Sequence, residues 1–196
     1  MRDGLNAASV FHPCGQMNIG RSIFGEFERD GRRRAVYLQL QREAASRPGA
    51  ALVQTPIGPV WMSPIEAKLY EAMRKEGLEP IPQFCVNGYF VDFAFPDIQM
   101  AVEADGAAYH DDTHKARDRK RDWILRNAGW TVKRFHGTTI HHKAENCAYV
   151  VMREVNAQRD YLIELARREE MRRQARRDAI LRPFRWIARL LRDPPH

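Results

Sequence analysis

Cysteine is scarce in this chain and long apolar runs are missing from it. The three cysteines, Cys14, Cys85 and Cys147, are odd in number and far apart, which argues against both a disulfide framework and a zinc ribbon. No stretch approaches the ~18 apolar residues of a spanning helix, and no apolar run of signal-peptide type follows Met1, so no membrane span is expected and the expected location is cytoplasmic. Internal repeats and low-complexity segments are also lacking. Positive charge is in excess instead: 32 Lys and Arg face 25 Asp and Glu in 196 residues, a net charge of +7. That length fits one domain with extensions. The charge is unevenly spread, with 8 basic and 5 acidic residues in 1–62, 13 and 14 in 63–158, and 11 and 6 in 159–196. The excess therefore sits outside an acid-rich middle. Such flanks suit nucleic-acid phosphate, and equally membranes or acidic proteins.

The acid-rich middle holds the most informative segment. Tyr89 to Phe95 alternates as a strand, Pro96-Asp97 supplies a turn, and Met100 to Ala104 reads as a second strand buried on both faces. A hairpin of this kind brings Asp92 and Glu103 to the same end. Two facing carboxylates suit a hard divalent cation, Mg²⁺ being held by one or two carboxylates plus substrate phosphate and water. Acids flanking strands in solvent are the plain alternative for any one of them. Glu103 weighs against it, because it follows Ala101-Val102 in a buried run, and an unpaired buried carboxylate is expensive. A metal is its simplest partner.

These residues carry a resemblance. A strand with Asp92, a strand with Glu103-Ala104-Asp105-Gly106, a helix with Asp118-Arg119-Lys120-Arg121-Asp122, and the segment Gly129-Trp130-Thr131-Val132-Lys133-Arg134-Phe135 together resemble the PD-(D/E)xK nuclease superfamily. The likeness is strongest to the very short patch repair (Vsr-like) endonuclease and its bacterial relatives, and covers roughly residues 63 to 158. It implies an α/β restriction-endonuclease-like αβββαβ core, a small mixed sheet flanked by helices, with Glu66 on the first helix. It also implies metal ligation by Asp92 and Glu103, with Mg²⁺ or Mn²⁺ as cofactor, and a catalytic set completed by Asp105, His110 and Glu66. Two departures stand out. The lysine of the usual acid-x-Lys triplet is replaced by Asp105, and only His110 matches the repair endonuclease's His-Gly-x-x-x-His. A carboxylate at position 105 is able to ligate metal or take a proton from water, but supplies no positive charge.

Other readings of the same residues remain open. His110-Asp111-Asp112-Thr113-His114 reads equally as a solvated loop and helix cap. His110 and His114 are spaced for one helix face, but no third zinc ligand follows at suitable spacing. Glu66 is also a favourable acid for a helix's first turn. Lys120 and Arg121 on the second helix, and Lys133 and Arg134 on the last strand, are candidates for nucleic-acid phosphate contacts, with ion pairs to Asp118 and Asp122 as the alternative.

The remaining elements follow from periodicity. Ile23 to Phe27 and Ala35 to Leu40 fit a small hairpin across Asp30-Gly31, and the prolines and glycines of 46–62 suggest an irregular linker. A helix is expected from Pro64 to Lys75, closed by Gly77, with a strand at Ile81 to Val86. A second helix, Thr113 to Ala128, would bury Trp123, Ile124 and Leu125, with Gly129 as C-cap. From Ala144 a helix carries a stripe of Val150, Val151, Val155, Leu162 and Leu165. Arginines then take over as far as Arg177, and Pro183 ends the helix ahead of a basic amphipathic tail. The expected organisation is an N-terminal extension at 1–62, the core domain at 63–158 and an Arg-rich helical extension at 159–196. The function expected is metal-dependent hydrolysis of nucleic-acid phosphodiesters, DNA foremost. The alternatives are a non-cutting binding module of the same fold, or a protein that docks a partner or a second copy through its Arg-rich tail.

Overall fold

The computed structural model describes residues 31–105 and 112–192, which fall into two compact units divided between Ser63 and Pro64. In the first unit, helix α1 (Gly31–Ala45) precedes a hairpin of β1 (Ala51–Thr55) and β2 (Gly58–Met62). This corrects both expectations for the region. Ala35 to Leu40 is helical, and 46–62 holds two paired strands; Ile23 to Phe27 lies outside the described residues. The helix wins because Tyr37, Leu40, Gln41 and Ala44 are the covered positions, spaced at three and four residues, while Val36 and Leu38 stay exposed. Gln41 then ties α1 to the hairpin, accepting from the Trp61 amide at 2.7 Å and donating to its carbonyl at 3.4 Å. The supposed linker glycines and prolines serve the hairpin's turn and margin. Gly58 takes a positive φ of 109° and accepts from the Thr55 hydroxyl at 2.6 Å, and Pro59 sits in a two-stranded ribbon, where a missing donor is tolerated.

The second unit runs α2 (Pro64–Lys75), β3 (Ile81–Val86), β4 (Tyr89–Phe95), β5 (Met100–Asp105), α3 (Asp112–Asn127), β6 (Thr131–His136) and α4 (Gly137–Arg192). Its sheet has the order β3-β4-β5-β6, antiparallel except for the parallel β5–β6 pair that α3 connects. This is a mixed sheet with helices, the αβββαβ arrangement expected. Asn87-Gly88 closes β3 to β4 with both residues at positive φ, the geometry a two-residue hairpin turn needs. Alternation along the strands divides the core. Ala94 and Ala101 join Leu125 and Trp130, whereas on the other parity Tyr70 of α2 stacks on Phe93 at 5.9 Å. Leu69, Met73, Phe93, Phe95 and Val151 are fully buried, each stabilising the fold by about 1.5–3 kcal/mol relative to exposure.

Three expectations about the helices need correction. Trp123 is exposed, since three consecutive residues span more than half a helical turn and α3 buries only Leu125 of them. Val150 and Leu165 are likewise exposed, while Cys147, Ala148, Val151 and Val155 form the buried stripe of α4. A short helical stretch from Gly137 is interrupted by non-helical Lys143 (φ −142°, ψ 42°), so the helix expected from Ala144 begins there, but it continues through Pro183 to Arg192 instead of ending at the proline. A proline's φ is already helical, and its missing amide costs one bond to a carbonyl that water reaches at an exposed position.

Candidate active site

Asp92 lies near the middle of β4 and Glu103 near the end of β5, and the register of Phe93 against Val102 makes them neighbours across the two strands. The Asp92 Oδ2 accepts from the Ala104 amide at 2.8 Å. Pairing of β3 with β4 skips Gln83 opposite Asp92, and Gln83 sits in the left-handed region at φ 51°. Burial pushes the Asp92 carboxyl up to about 7, with the charges of Glu66 and Glu103 adding to the rise, while the Ala104 amide and Arg121 oppose it. Glu66 reaches this cluster from the first turn of α2. The fold thus brings together Glu66, Asp92 and Glu103.

Glu103 is 5% exposed and both of its oxygens are engaged by arginine. Oε1 accepts from Arg121 of α3, and Oε2 accepts from Arg134 Nε at 2.8 Å. Arg121 also donates to the Phe90 carbonyl at 3.0 Å. Arg134 continues the chain to Asp122 through a second pair of bonds, one at 3.0 Å. Hydrogen bonding from Arg134 holds the Asp122 carboxyl below its usual range, and Asp122 in turn raises the pKa of Arg134. The partners of this buried carboxylate are therefore guanidiniums, where a metal was the expected one. The signal for them was faint, because Arg134 meets Glu103 only through the parallel β5–β6 register.

The other nominated residues are placed differently. Asp105 is exposed at the end of β5 and opposite His136 of β6, a neighbour the sequence did not nominate. His110 lies outside the described residues. Lys133 pairs with Glu154 of α4 at 2.5 Å, and Arg121 and Arg134 are spent on Glu103. Lys120 is exposed on α3. Among the described residues, no three His, Cys, Asp or Glu side chains form a ready cation cage.

A model of the family described as REase_MTES_1575, a restriction-endonuclease-like family, matches residues 65–155. Over 94 residues the chain is 31% identical to YcjD of Escherichia coli (strain K12), a protein described as uncharacterized, covering 46% of this chain and 79% of that one. The chain belongs to this restriction-endonuclease-like family. Among solved structures it is similar to the homing endonuclease I-Bth0305I catalytic domain, with a TM-score of 0.38 and 15% identity over 50% of this chain and 94% of that one.

Proposed function

We propose that the chain is a metal-dependent endonuclease that hydrolyses DNA phosphodiester bonds. The observation that carries the reading is Asp92, seated on the Ala104 amide with its carboxyl pushed up to about 7 among Glu66 and Glu103. Crowded carboxylates that resist ionisation together are what a divalent cation relieves. The residues fit Mg²⁺ or Mn²⁺: all are hard oxygen donors, and this cation takes one or two carboxylates with phosphate and water rather than a full protein cage. Asp92 and Glu103 would hold it, a carboxylate having about four lone-pair sites, of which the two guanidiniums take only part on Glu103. Bound there, the cation supplies charge to the scissile phosphate and acidity to an attacking water.

The chain's own residues perform the remaining tasks. Glu66 orients the site beside Asp92. Asp105, at the exposed end of β5, accepts a proton from water or adds an oxygen ligand, and His110 serves as acid or base. Lys120, exposed on α3, would meet phosphate directly, whereas Arg121, Lys133 and Arg134 would meet it only by sharing or leaving their acidic partners. DNA is the substrate by resemblance to the very short patch repair endonuclease. Two observations favour a second reading, a nucleic-acid-binding module that no longer cuts: Asp105 stands where the superfamily has lysine, and arginines clamp Glu103.

Cleavage separates the two. Supercoiled, linear, single-stranded and mismatched DNA, with RNA alongside, is incubated with Mg²⁺ or Mn²⁺ or with EDTA. Metal-dependent cutting that falls to background in Asp92→Ala and Glu103→Ala supports the nuclease. Binding without cutting, indifferent to both substitutions, establishes the module instead.

A further inference from the structure

We infer that the exposed arginine row of α4 is a binding surface for the phosphate backbone of duplex DNA. The inference takes its partner class from the function proposed above but needs none of its chemistry. The buried stripe of α4 ends at Val155, and Arg159 pairs with Asp97 at 2.7 Å just beyond it. From Ile163 to Arg182 every residue is exposed except Asp178, which is half-buried. Helix without packing has little support of its own. Here i,i+4 pairs contribute, Glu164 to Arg168 at 2.9 Å and Glu169 to Arg173 at 3.9 Å.

Along this stretch Arg168, Arg172 and Arg176 recur every four residues, with Arg173 and Arg177 alongside. Four-residue spacing lines them on one side of the helix, and the three cover ~12 Å at ~1.5 Å per residue. Each strand of duplex DNA presents a phosphate per ~3.4 Å of axis, so about three or four phosphates of one strand match a row of that length. Guanidinium is also the side chain best matched to phosphate oxygens. A membrane surface fits less well. Within the row, from Arg168 to Arg177, Met171 is the exposed large apolar residue, and the exposed group of Ile180, Leu181 and Phe184 lies beyond it towards the C-terminal end.

The test is duplex binding by the full chain in EDTA, across a salt series, with a labelled 30-base-pair probe and with phosphatidylserine vesicles in parallel. The triple variant Arg168→Gln, Arg172→Gln, Arg176→Gln keeps good helix formers. It is expected to weaken DNA binding about tenfold or more and to lower the salt slope by about 2 to 3, Arg168 being shared with Glu164. Glu170→Gln, which removes an acid from the same stretch, is expected to tighten binding. Unchanged affinity and slope in both variants overturn the inference, as does loss of vesicle binding with DNA binding intact. Failure of the nuclease reading looks different: a chain that binds through the row but cuts nothing leaves this surface standing. Conversely, a chain that cuts with unaltered KM after the triple substitution retains its activity and loses the row.

Discussion

At Asp92, burial and two neighbouring carboxylates oppose ionisation, and this makes folding sensitive to pH. The carboxyl moves from an ordinary 3.8 up to about 7. Its protonated form therefore contributes stability that is fully present below the unfolded pKa and is lost as pH rises through about 7. In EDTA the wild type is expected to lose on the order of a few kcal/mol between pH 5 and pH 8, and Asp92→Asn to lose much less, as urea midpoints at the two pH values would reveal. Mg²⁺ added at pH 8 should restore stability to the wild type and not to Asp92→Asn, because only ligand binding to the folded state shifts the midpoint. Arg134 gives a second expectation. Arg134→Ala leaves Glu103 buried with half its counter-charge, at a cost of about 3 kcal/mol. Adding Glu103→Gln should recover a good part of that, and a double-mutant cycle in guanidinium chloride measures the coupling. The closeness of Asp92 and Glu103 was legible because strand alternation and a short hairpin are local features. Their guanidinium partners were not, since Arg121 and Arg134 reach Glu103 only after a helix crossover sets β6 parallel to β5.

Among the elements, those with their own punctuation were readable. Helix α2 has Pro64 at its start and Gly77 past its end, and α3 stops at Gly129, whose φ of 81° lets the Trp130 amide reach the Leu125 carbonyl at 2.9 Å. A side chain there is strained by the backbone, and a Cβ would also come within 3.2 Å of the Gln99 amide oxygen. Gly129→Ala is therefore expected to destabilise the second unit by about 1–2 kcal/mol, seen as a lower Tm with an unchanged far-ultraviolet spectrum. Punctuation also misled where one signal serves two structures: Asp30-Gly31 reads as a hairpin turn, but Gly31 opens α1. Residues 35–40 alternate well enough for a strand, but the covered set of Tyr37, Leu40, Gln41 and Ala44 is visible only once the packing of α1 is known. Pro183 is the converse case, a strong local signal that an exposed helix overrides.

For the whole molecule, the end of the buried stripe on α4 predicts where the chain tolerates shortening. A stop placed after Ala166 removes a stretch whose described side chains from 167 to 182 are exposed except for half-buried Asp178, so the Tm of the remainder should move by no more than a few degrees, as calorimetry would record. A stop before Val151 removes fully buried Val151 and Val155 and should abolish cooperative unfolding. The continuity of α4 beyond Lys143 has a metrical consequence as well. From Val155 to Arg176 the helix advances ~32 Å, roughly nine base pairs of duplex at ~3.4 Å each. The row inferred to bind phosphate thus ends about 32 Å along the helix from its last buried residue, clear of the packed core. Duplexes cut down below the ~12 Å of the row itself, about four base pairs, are expected to lose affinity for it stepwise, one phosphate contact at a time.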